Sequence, residues 1–219
     1  MTGIAYVSSG SANAASITVP ASNSGDFVLL AVFRHNSQTS PTDPIIAATA
    51  GSFLVSKIVG SGNNTCSLSS NWYHADGAAR TITFTNATQI AYAIYRSSAG
   101  IIVPGGMQIY SPAAAVSFYY STTTGNRASG NTWTVGLGAG RSIGIDDDVA
   151  PTGMTNRVSI EGAASGSLSI HDTNGDAAAW TSKLVTNTGD TSLVTKTETI
   201  ELYEILYGGG GSTLIVIED

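Results

Sequence analysis

A serine, an aspartate and a histidine occur in the order that an α/β-hydrolase triad requires, at Ser142, Asp148 and His171. Ser142 lies in the segment GRSIG, from Gly140 to Gly144, which fits the G-x-S-x-G nucleophile elbow. That elbow works only where a strand turns abruptly into a helix, which presents the serine hydroxyl beside a backbone oxyanion donor. The following residues have no helical period and include a proline. We therefore predict a chance match, and no catalytic residue.

Oxygen-bearing side chains alternate at Asp172, Asn174 and Asp176, as in the first half of a calcium-binding loop. An EF-hand loop also needs glycine at its sixth position and a bidentate acid at its twelfth, and neither is present here. The acidic run from Asp146 to Asp148 is the only distant source of further ligands. Because Asp-Thr-Asn-Gly is itself a good turn sequence, we expect a turn and no metal site.

The three histidines, His35, His74 and His171, are isolated from one another, and none stands at metal-ligand spacing from another. We expect each to be a surface or strand-edge residue. The single cysteine, Cys66, excludes an internal disulfide framework and most cysteine metal sites. Its expected role is a small, half-buried residue in a strand. The sequence therefore predicts no cofactor.

Five aromatic residues could include a platform on which a sugar ring stacks: Trp72, Tyr73, Tyr119, Trp133 and Trp180. Core packing explains Trp133 better, because apolar residues alternate with it along one strand face. Whether Trp72, Tyr73 or Trp180 lines an exposed groove is left open at this point. A glycan-binding site is thus one of the two kinds of function that the sequence allows.

Three stretches have the alternation of core strands, and they must position these side chains. In Thr88 to Arg96, isoleucine and tyrosine occupy one face, and Ala91, Ala93 and Tyr95 occupy the other. Within Asp26 to Arg34 the run from Phe27 to Phe33 is apolar on both faces, so we expect this strand to be covered on both sides or to lie in the middle of a sheet. Thr132 to Ala139 carries glycines on one face, which implies close approach of another backbone or a bulge. We interpret all three as core strands of one β-sandwich.

Shorter strand candidates recur at a spacing of about ten residues with turn signals between them, which is typical of all-β proteins. Thr199 to Leu206 also reads as a strand, with a phase slip at Glu204 and Ile205 that suggests a bulge. A short helix over Ala177 to Val185, capped by Asp176, is the only helical indication. The predicted fold is an antiparallel, jelly-roll-like β-sandwich with at most one short helix.

The chain is predicted to hold one β-sandwich domain over residues 1–207, followed by a glycine-hinged arm over residues 208–219. Four consecutive glycines precede the apolar residues Leu214, Ile215, Val216 and Ile217. We expect these four residues to contact another subunit by adding a strand to its sheet. A strand that returns to the sheet of its own chain is an equally open alternative.

Charged residues make up only 11% of the chain, and the net charge is −6. From Asp146 onward three basic residues face twelve acidic ones, and the arginines before that point are scattered singly. This distribution offers no track for nucleic acid, so protein or glycan partners are expected. No secretory signal is recognisable, and the longest apolar run, Phe27 to Phe33, is too short to span a membrane. We expect synthesis in a cytosol and no membrane partner.

Five segments in this linear order resemble a family of tailed-bacteriophage virion proteins: GDFVLLAVFRHN, TFTNATQIAYAIYR, NTWTVGLGAGRS, APTGMTNR and HDTNGDAAAW. The resemblance covers residues 1–185, and the final, glycine-hinged segment departs from it. It implies a non-enzymatic structural component of the virion, of the capsid decoration, head fibre or tail appendage type. It implies other virion proteins and further copies of the chain as partners. A glycan- or receptor-binding module at a phage tail tip is the alternative.

Overall fold

The computed structural model describes residues 3–35, 45–47, 58–59, 66–110, 117–122, 132–140, 150–162, 166–175, 183–186 and 195–206. Every regular element within these residues is a β-strand, and every strand pairing is antiparallel, which confirms the all-β prediction. The strands are Ile4–Ala12 (β1), Ser16–Val19 (β2), Phe27–His35 (β3), Ile45–Ala47 (β4), Ile58–Val59 (β5), Cys66–His74 (β6), Arg80–Thr85 (β7), Gln89–Ser97 (β8), Gly100–Tyr110 (β9), Ser117–Tyr120 (β10), Thr132–Gly140 (β11), Thr155–Gly162 (β12), Gly166–Asp172 (β13), Lys183–Thr186 (β14) and Thr195–Leu206 (β15).

The expected helix over Ala177 to Val185 is wrong where the structure describes it. Lys183–Thr186 is strand β14, which pairs antiparallel with β10. Cross-strand hydrogen bonds and a neighbouring strand outweigh the weak capping signal at Asp176, because helix propensity is a small term that tertiary context overrides. The remainder of the expected helix lies outside the described residues.

The strands form two five-stranded sheets and two smaller ones. We name the order β1-β8-β3-β6-β5 the N sheet and the order β12-β13-β11-β15-β9 the C sheet. The order β2-β7-β4 is the N cover, and the pair β10-β14 is the C cover. The β-sandwich is thereby confirmed, while the jelly-roll arrangement and the division into residues 1–207 and 208–219 stay predictions at this point.

The N sheet and the C sheet pack face to face around the main apolar core. Alternate residues of β3 and β8 meet alternate residues of β11, β13 and β15 there, among them Phe27, Leu29, Val135, Leu137 and Ile170, all at most 1% exposed. The small side chains Ala91 and Ala93 of β8 face this core, where β8 lies against β12 and β13. The alanine face therefore marks the side on which the second sheet approaches. All three predicted core strands are confirmed.

A second apolar core lies on the opposite face of the N sheet. Val28, Leu30 and Val32 of β3 pack with the isoleucines of β8 against the N cover, whose buried side chains include Val19 and Phe84. Strand β3 is thus covered on both sides, as its unbroken apolar run predicts. Since a strand buried on both faces loses the most apolar surface to water, β3 is the central strand of the N-terminal half.

The C cover lies on the glycine-bearing face of the C sheet. The Tyr120 ring sits directly over Gly136, where an added Cβ would be 2.5 Å from the ring carbon Cε2. Thr197 Oγ1 of β15 donates to the Tyr119 carbonyl at 2.8 Å, which binds the C cover to the sheet beneath it. The expectation of another backbone or a bulge at this glycine face is wrong at Gly136: β11 pairs in regular register, and the ring of a tyrosine occupies the space above the glycine.

Replacing Gly136 by alanine should lower the free energy of unfolding by about 1–3 kcal/mol, because the new methyl group overpacks a site that the fully buried Tyr120 ring fills. Denaturant unfolding of the variant and of the wild type measures the change. Gly3→Ala is the matched control, since no atom lies within 4 Å of an added Cβ there. Equal stability of the two variants would show that Tyr120 is not held against Gly136.

The long edge strands of the two large sheets carry register shifts. Val7 of β1 and Arg157 of β12 each stand opposite no partner residue, and Gly105 and Gly106 of β9 face the single residue Glu201. The bulge predicted at Glu204 and Ile205 is wrong in position, because these two residues pair in regular register with β9; the shift lies three residues earlier, and its extra residue is on β9. Bulges twist an edge away from further pairing, so these edges are protected against adding another strand.

Candidate functional site

Among the described residues, a group of buried polar contacts lies where β1 and β8 meet β12 and β13. Arg157 Nε donates to Asp172 Oδ2 at 2.7 Å, and the two side chains are 10% and 0% exposed. The Tyr95 hydroxyl donates to the same oxygen at 3.1 Å, and the backbone N–H of Asn174 donates to Oδ1 at 2.9 Å. Both carboxylate oxygens of Asp172 thus accept hydrogen bonds from the protein itself, one of them charge-assisted.

Aromatic rings enclose this ion pair. The Arg157 guanidinium carbon lies 4.1 Å from the centre of the Tyr6 ring, within the range of a cation–π contact. Tyr95 meets the Trp133 ring edge to face, with centroids 5.8 Å apart. Ser9 Oγ donates to the Arg157 carbonyl at 2.6 Å. We call Tyr6, Ser9, Tyr95, Trp133, Arg157 and Asp172 the inter-sheet clamp, because the first three belong to the N sheet and the others to the C sheet.

The clamp is suited to holding sheets together and poorly suited to transferring protons. Burial, with the neighbouring Asp172 carboxylate second, holds the pKa of the Tyr95 hydroxyl well above its ordinary value, so the phenol stays protonated. Asp172 is fully buried and accepts hydrogen bonds from the protein at both oxygens, so its carboxylate is held in one position. Its chemistry is that of a charged, hydrogen-bonded bridge between two layers.

Of the triad-like residues only His171 lies within the described residues; Ser142 and Asp148 lie outside them. His171 is fully buried on the outer face of the C sheet, and its Nδ1 lies 2.7 Å from the Tyr120 hydroxyl. The expectation of a surface or strand-edge position is wrong for this histidine, because β13 lies inside the sheet and the C cover lies above it. The absence of a catalytic residue stays a prediction.

The calcium-like segment forms the expected turn. Asn174 adopts a left-handed backbone conformation, with φ of 48°, and its N–H bonds back to the carboxylate of Asp172. The side-chain oxygen of Asn174 accepts from Arg157 at 2.6 Å, so two of the three alternating oxygen donors already bind the guanidinium. Asp176 and the run from Asp146 to Asp148 lie outside the described residues. Within those residues no group of three potential metal ligands comes together.

The other single residues have local structural roles. A ring nitrogen of His74, Nε2, lies 2.7 Å from the carbonyl of Ile102, and the half-buried ring packs edge on against Trp72. His35 ends β3 and Cys66 begins β6, which confirms a strand position for the cysteine. The arm residues Leu214 to Ile217 lie outside the described part of the chain, so their expected subunit contact stays a prediction.

The aromatic residues considered for sugar stacking belong mostly to the two cores. Tyr73 is 5% exposed in the core under the N cover, and burial raises its pKa to about 12. Trp72 is half-buried and stacks on Phe27 with ring centroids 5.4 Å apart. Trp133 is a core residue, as predicted. Because Tyr73 is buried and Trp72 is half-buried against Phe27, neither offers an open platform. Tyr119 is 43% exposed, and Trp180 lies outside the described residues.

Glu198 of β15 is a buried acid that the sequence interpretation missed. It is 1% exposed on the face that the C sheet turns toward the N sheet, where it lies opposite Leu137. Burial raises its pKa to about 8, and only Ser70 of the facing strand β6 opposes this shift. Neither polar group of Ser70 meets the geometry of a hydrogen bond to the carboxyl oxygens. Glu198 alternates with Ile200 and Leu202, and that period places it on the core face.

No helix within the described residues is long and apolar enough to cross a membrane. No protein-family model, curated protein or solved structure matches the chain.

Proposed function

We propose that this protein is a non-enzymatic structural component of a tailed-bacteriophage particle, of the capsid decoration or fibre type. The observation that carries the proposal is the use of buried charge as a connection between strands. The Arg157–Asp172 pair joins β12 to β13, and Tyr95 bonds to the same Asp172 carboxylate from the facing N sheet. The buried Asp26 accepts two 2.7 Å bonds from Arg96, between the ends of β3 and β8. Such groups serve a rigid scaffold, which is what a particle component requires.

Two further features support this proposal. The central strands β3 and β8 of the N sheet are buried on both faces, so two apolar cores share this layer. With charged residues at 11%, the remaining polar character comes from serine, threonine and asparagine. The order of the five sequence segments resembles that of tailed-phage virion proteins. Rigidity and a weakly charged surface suit a subunit that packs against copies of itself and against other virion proteins.

Immunogold electron microscopy tests the proposal on intact particles from the source of the chain. An antibody raised against the purified full-length protein should label the virion, and the position of the label separates head from tail. Labelling at the tail tip alone would favour the glycan- or receptor-binding alternative, which a glycan array with the same protein then tests. Particles without label, from which the protein is also absent by mass spectrometry, would refute a structural role in the virion.

The arm is proposed to add its strand, Leu214 to Ile217, to a neighbouring subunit. The chain without residues 208–219 should then bind particles lacking the protein at least ten-fold more weakly than the full chain. A variant in which the four residues become serine keeps the length of the arm and isolates the contribution of their apolar side chains. Unchanged binding of both variants would show that the arm returns to its own sheet or has no part in assembly.

A further inference from the structure

The N-terminal and C-terminal halves pair their strands in the same nested way. In the first half β1 pairs with β8, β2 with β7 and β3 with β6. In the second half β9 pairs with β15, β10 with β14 and β11 with β13. In both, the first strand meets the last, the second meets the last but one, and the third meets a strand from the middle of the half. This nesting is that of one long hairpin rolled up on itself.

The sheet orders agree as well. Read from its first strand, the N sheet runs β1-β8-β3-β6-β5 and the C sheet runs β9-β15-β11-β13-β12. Each begins with the first strand of its half, continues with the last and then the third, and ends with two consecutive strands. The second strand of each half lies in the cover, beside the last but one. Five strands in the large sheet and two in the cover have an equivalent in the other half, and only β4 of the N cover has none among the described residues.

We infer that the chain is a fused pair of jelly-roll units with the same topology, joined face to face as in a homodimer. The N unit extends from Ile4 to Ser97 and the C unit from Gly100 to Leu206. Each unit has one large and one small antiparallel sheet, the double-sheet arrangement of a jelly roll. The interaction surface of each unit is the inner face of its large sheet, and its partner is another unit of the same kind.

Two of the contacts between the large sheets are reciprocal, which supports an approximate two-fold relation. The contacts of β12 with β1 and β8 have no equally extensive counterpart at the equivalent strand β5, which is only two residues long. Strand β8 of the N unit lies against β13 of the C unit, and the equivalent pair β15 and β6 is also in contact. Strand β3 contacts β13, and the equivalent pair β11 and β6 is in contact too. Reciprocal contacts of this kind define an isologous interface, in which the same patch is used on both partners.

The interface uses different side chains at its two ends. At one end Tyr95 of β8 donates to Asp172 of β13, within the inter-sheet clamp. At the other end Glu198 of β15 faces Ser70 of β6 without a hydrogen bond. The two contacts are made by equivalent strands of the two units, but the side chains that meet there are different. The pair of units is therefore a hetero-pair, and each unit is adapted to the other.

The layers under the two covers explain why the units look unrelated in sequence. In the N unit the outer face of β3 carries Val28, Leu30 and Val32. In the C unit the outer face of β11 carries Thr134 and Gly136, and its neighbours there include the buried His171 and Thr199. The layer under the N cover is apolar, whereas the layer under the C cover consists of polar residues and glycine. The sequences of equivalent strands therefore alternate differently, although the strands occupy the same positions.

The ends of both units meet at one place, which makes their order exchangeable. Gly3 N donates to Ser98 Oγ at 2.9 Å, and Ser98 N donates to the Gly3 carbonyl at 3.2 Å. Leu206 pairs with Gly100, and the Ser97 hydroxyl bonds to Glu204. The start of the N unit, the connection between the units and the end of the C unit are thus neighbours. A chain with the C unit first needs only a short link from Leu206 to Gly3, which the existing arm exceeds in length.

A circular permutant tests the inference with every residue of the chain retained. Residues 99–219 are placed first and residues 1–98 follow. The permutant should show the far-ultraviolet circular dichroism spectrum of the wild type, elute at the same size and melt within a few degrees of it, because both units and their interface are intact. The matched control opens the chain at Gly77, an exposed turn glycine with φ of +93°, and therefore divides the N unit. This control permutant should melt at a clearly lower temperature than the permutant that begins at residue 99. The inference would be overturned if the permutant opened at Gly77 folded and the permutant that begins at residue 99 did not.

A second measurement keeps the original order and places a protease site between Ser98 and Ala99, to be cut after folding. The two pieces should co-elute after cleavage and separate on dilution. The N unit, which has an apolar core of its own under the N cover, should keep its β-sheet circular dichroism once separated. Complete loss of that signal at the dilution where the pieces separate would show a single cooperative sandwich and no pair of units.

Discussion

Replacing Asp172 by asparagine should lower the free energy of unfolding by about 3–5 kcal/mol, the usual cost of removing one partner of a buried ion pair. The substitution leaves the Arg157 guanidinium, 10% exposed, without its counter-charge and weakens the bond from Tyr95. Because the clamp joins the N sheet to the C sheet, the loss weakens the main interface of the molecule. Urea unfolding followed by tryptophan fluorescence measures the change, since Trp133 lies beside the pair.

The surface pair of Asp76 and Arg80 provides the matched control. Asp76 is exposed, and its contact with Arg80 spans four residues of one turn, so Asp76→Asn should change stability little. Arg157→Met and the double variant Arg157→Met/Asp172→Asn complete a double-mutant cycle, in which the double variant should lose less than the two single losses combined. A cost for Asp172→Asn as small as that for Asp76→Asn would show that the clamp does not hold the sheets together.

Stability should fall as the pH rises from about 5 to 9, because Glu198 keeps its proton in the folded protein. Its pKa is raised to about 8 by burial, against an ordinary value of 4.5. Between these values the folded state holds the proton and the unfolded state releases it, so each step to higher pH favours unfolding. The contribution of Glu198 to the free energy of unfolding is fully present below pH 4.5 and lost above pH 8. It amounts to a few kcal/mol, on the order of 1.4 kcal/mol for each pKa unit. Thermal melts at fixed ionic strength measure it.

Glu198→Gln is the variant that isolates this effect, since it keeps the shape and removes the titration. The variant and the wild type should melt at similar temperatures near pH 4.5, and the variant should melt higher at pH 9. Strand β6 contributes Ser70 against this carboxyl, and Lys196 is the charged neighbour along β15, so each variant is compared at equal salt. The same decline with pH in both proteins would assign it to another group.

The strands that form the cores were predictable because burial on a sheet follows the period of two. Phe27 to Phe33 is apolar at every position, and the structure covers both of its faces. Glu198 followed the same rule, and its alternation with Ile200 and Leu202 was available in the sequence. The helix expected after Asp176 failed because a capping signal is weak and β10 offered the segment from Lys183 a pairing partner.

The candidate site could not be predicted, because its partners are distant in the chain. Tyr6, Tyr95 and Asp172 have no pattern that links them, and only the packing of two sheets brings them together. The buried position of His171 has the same cause: a strand candidate does not reveal which neighbours it will acquire. Pairing between sheets depends on long-range contacts that local propensity does not encode.

By itself, the sequence determined that this protein is built from strands, which of them are buried, and that charge is scarce. Alternation and composition suffice for that, since they act within a few residues. Only the tertiary structure decided that the strands divide into two halves with the same nested pairing, and that Tyr95 of one half bonds to Asp172 of the other. The order of strands in a sheet is set by which apolar faces cover one another, a property of the whole chain that no single stretch contains.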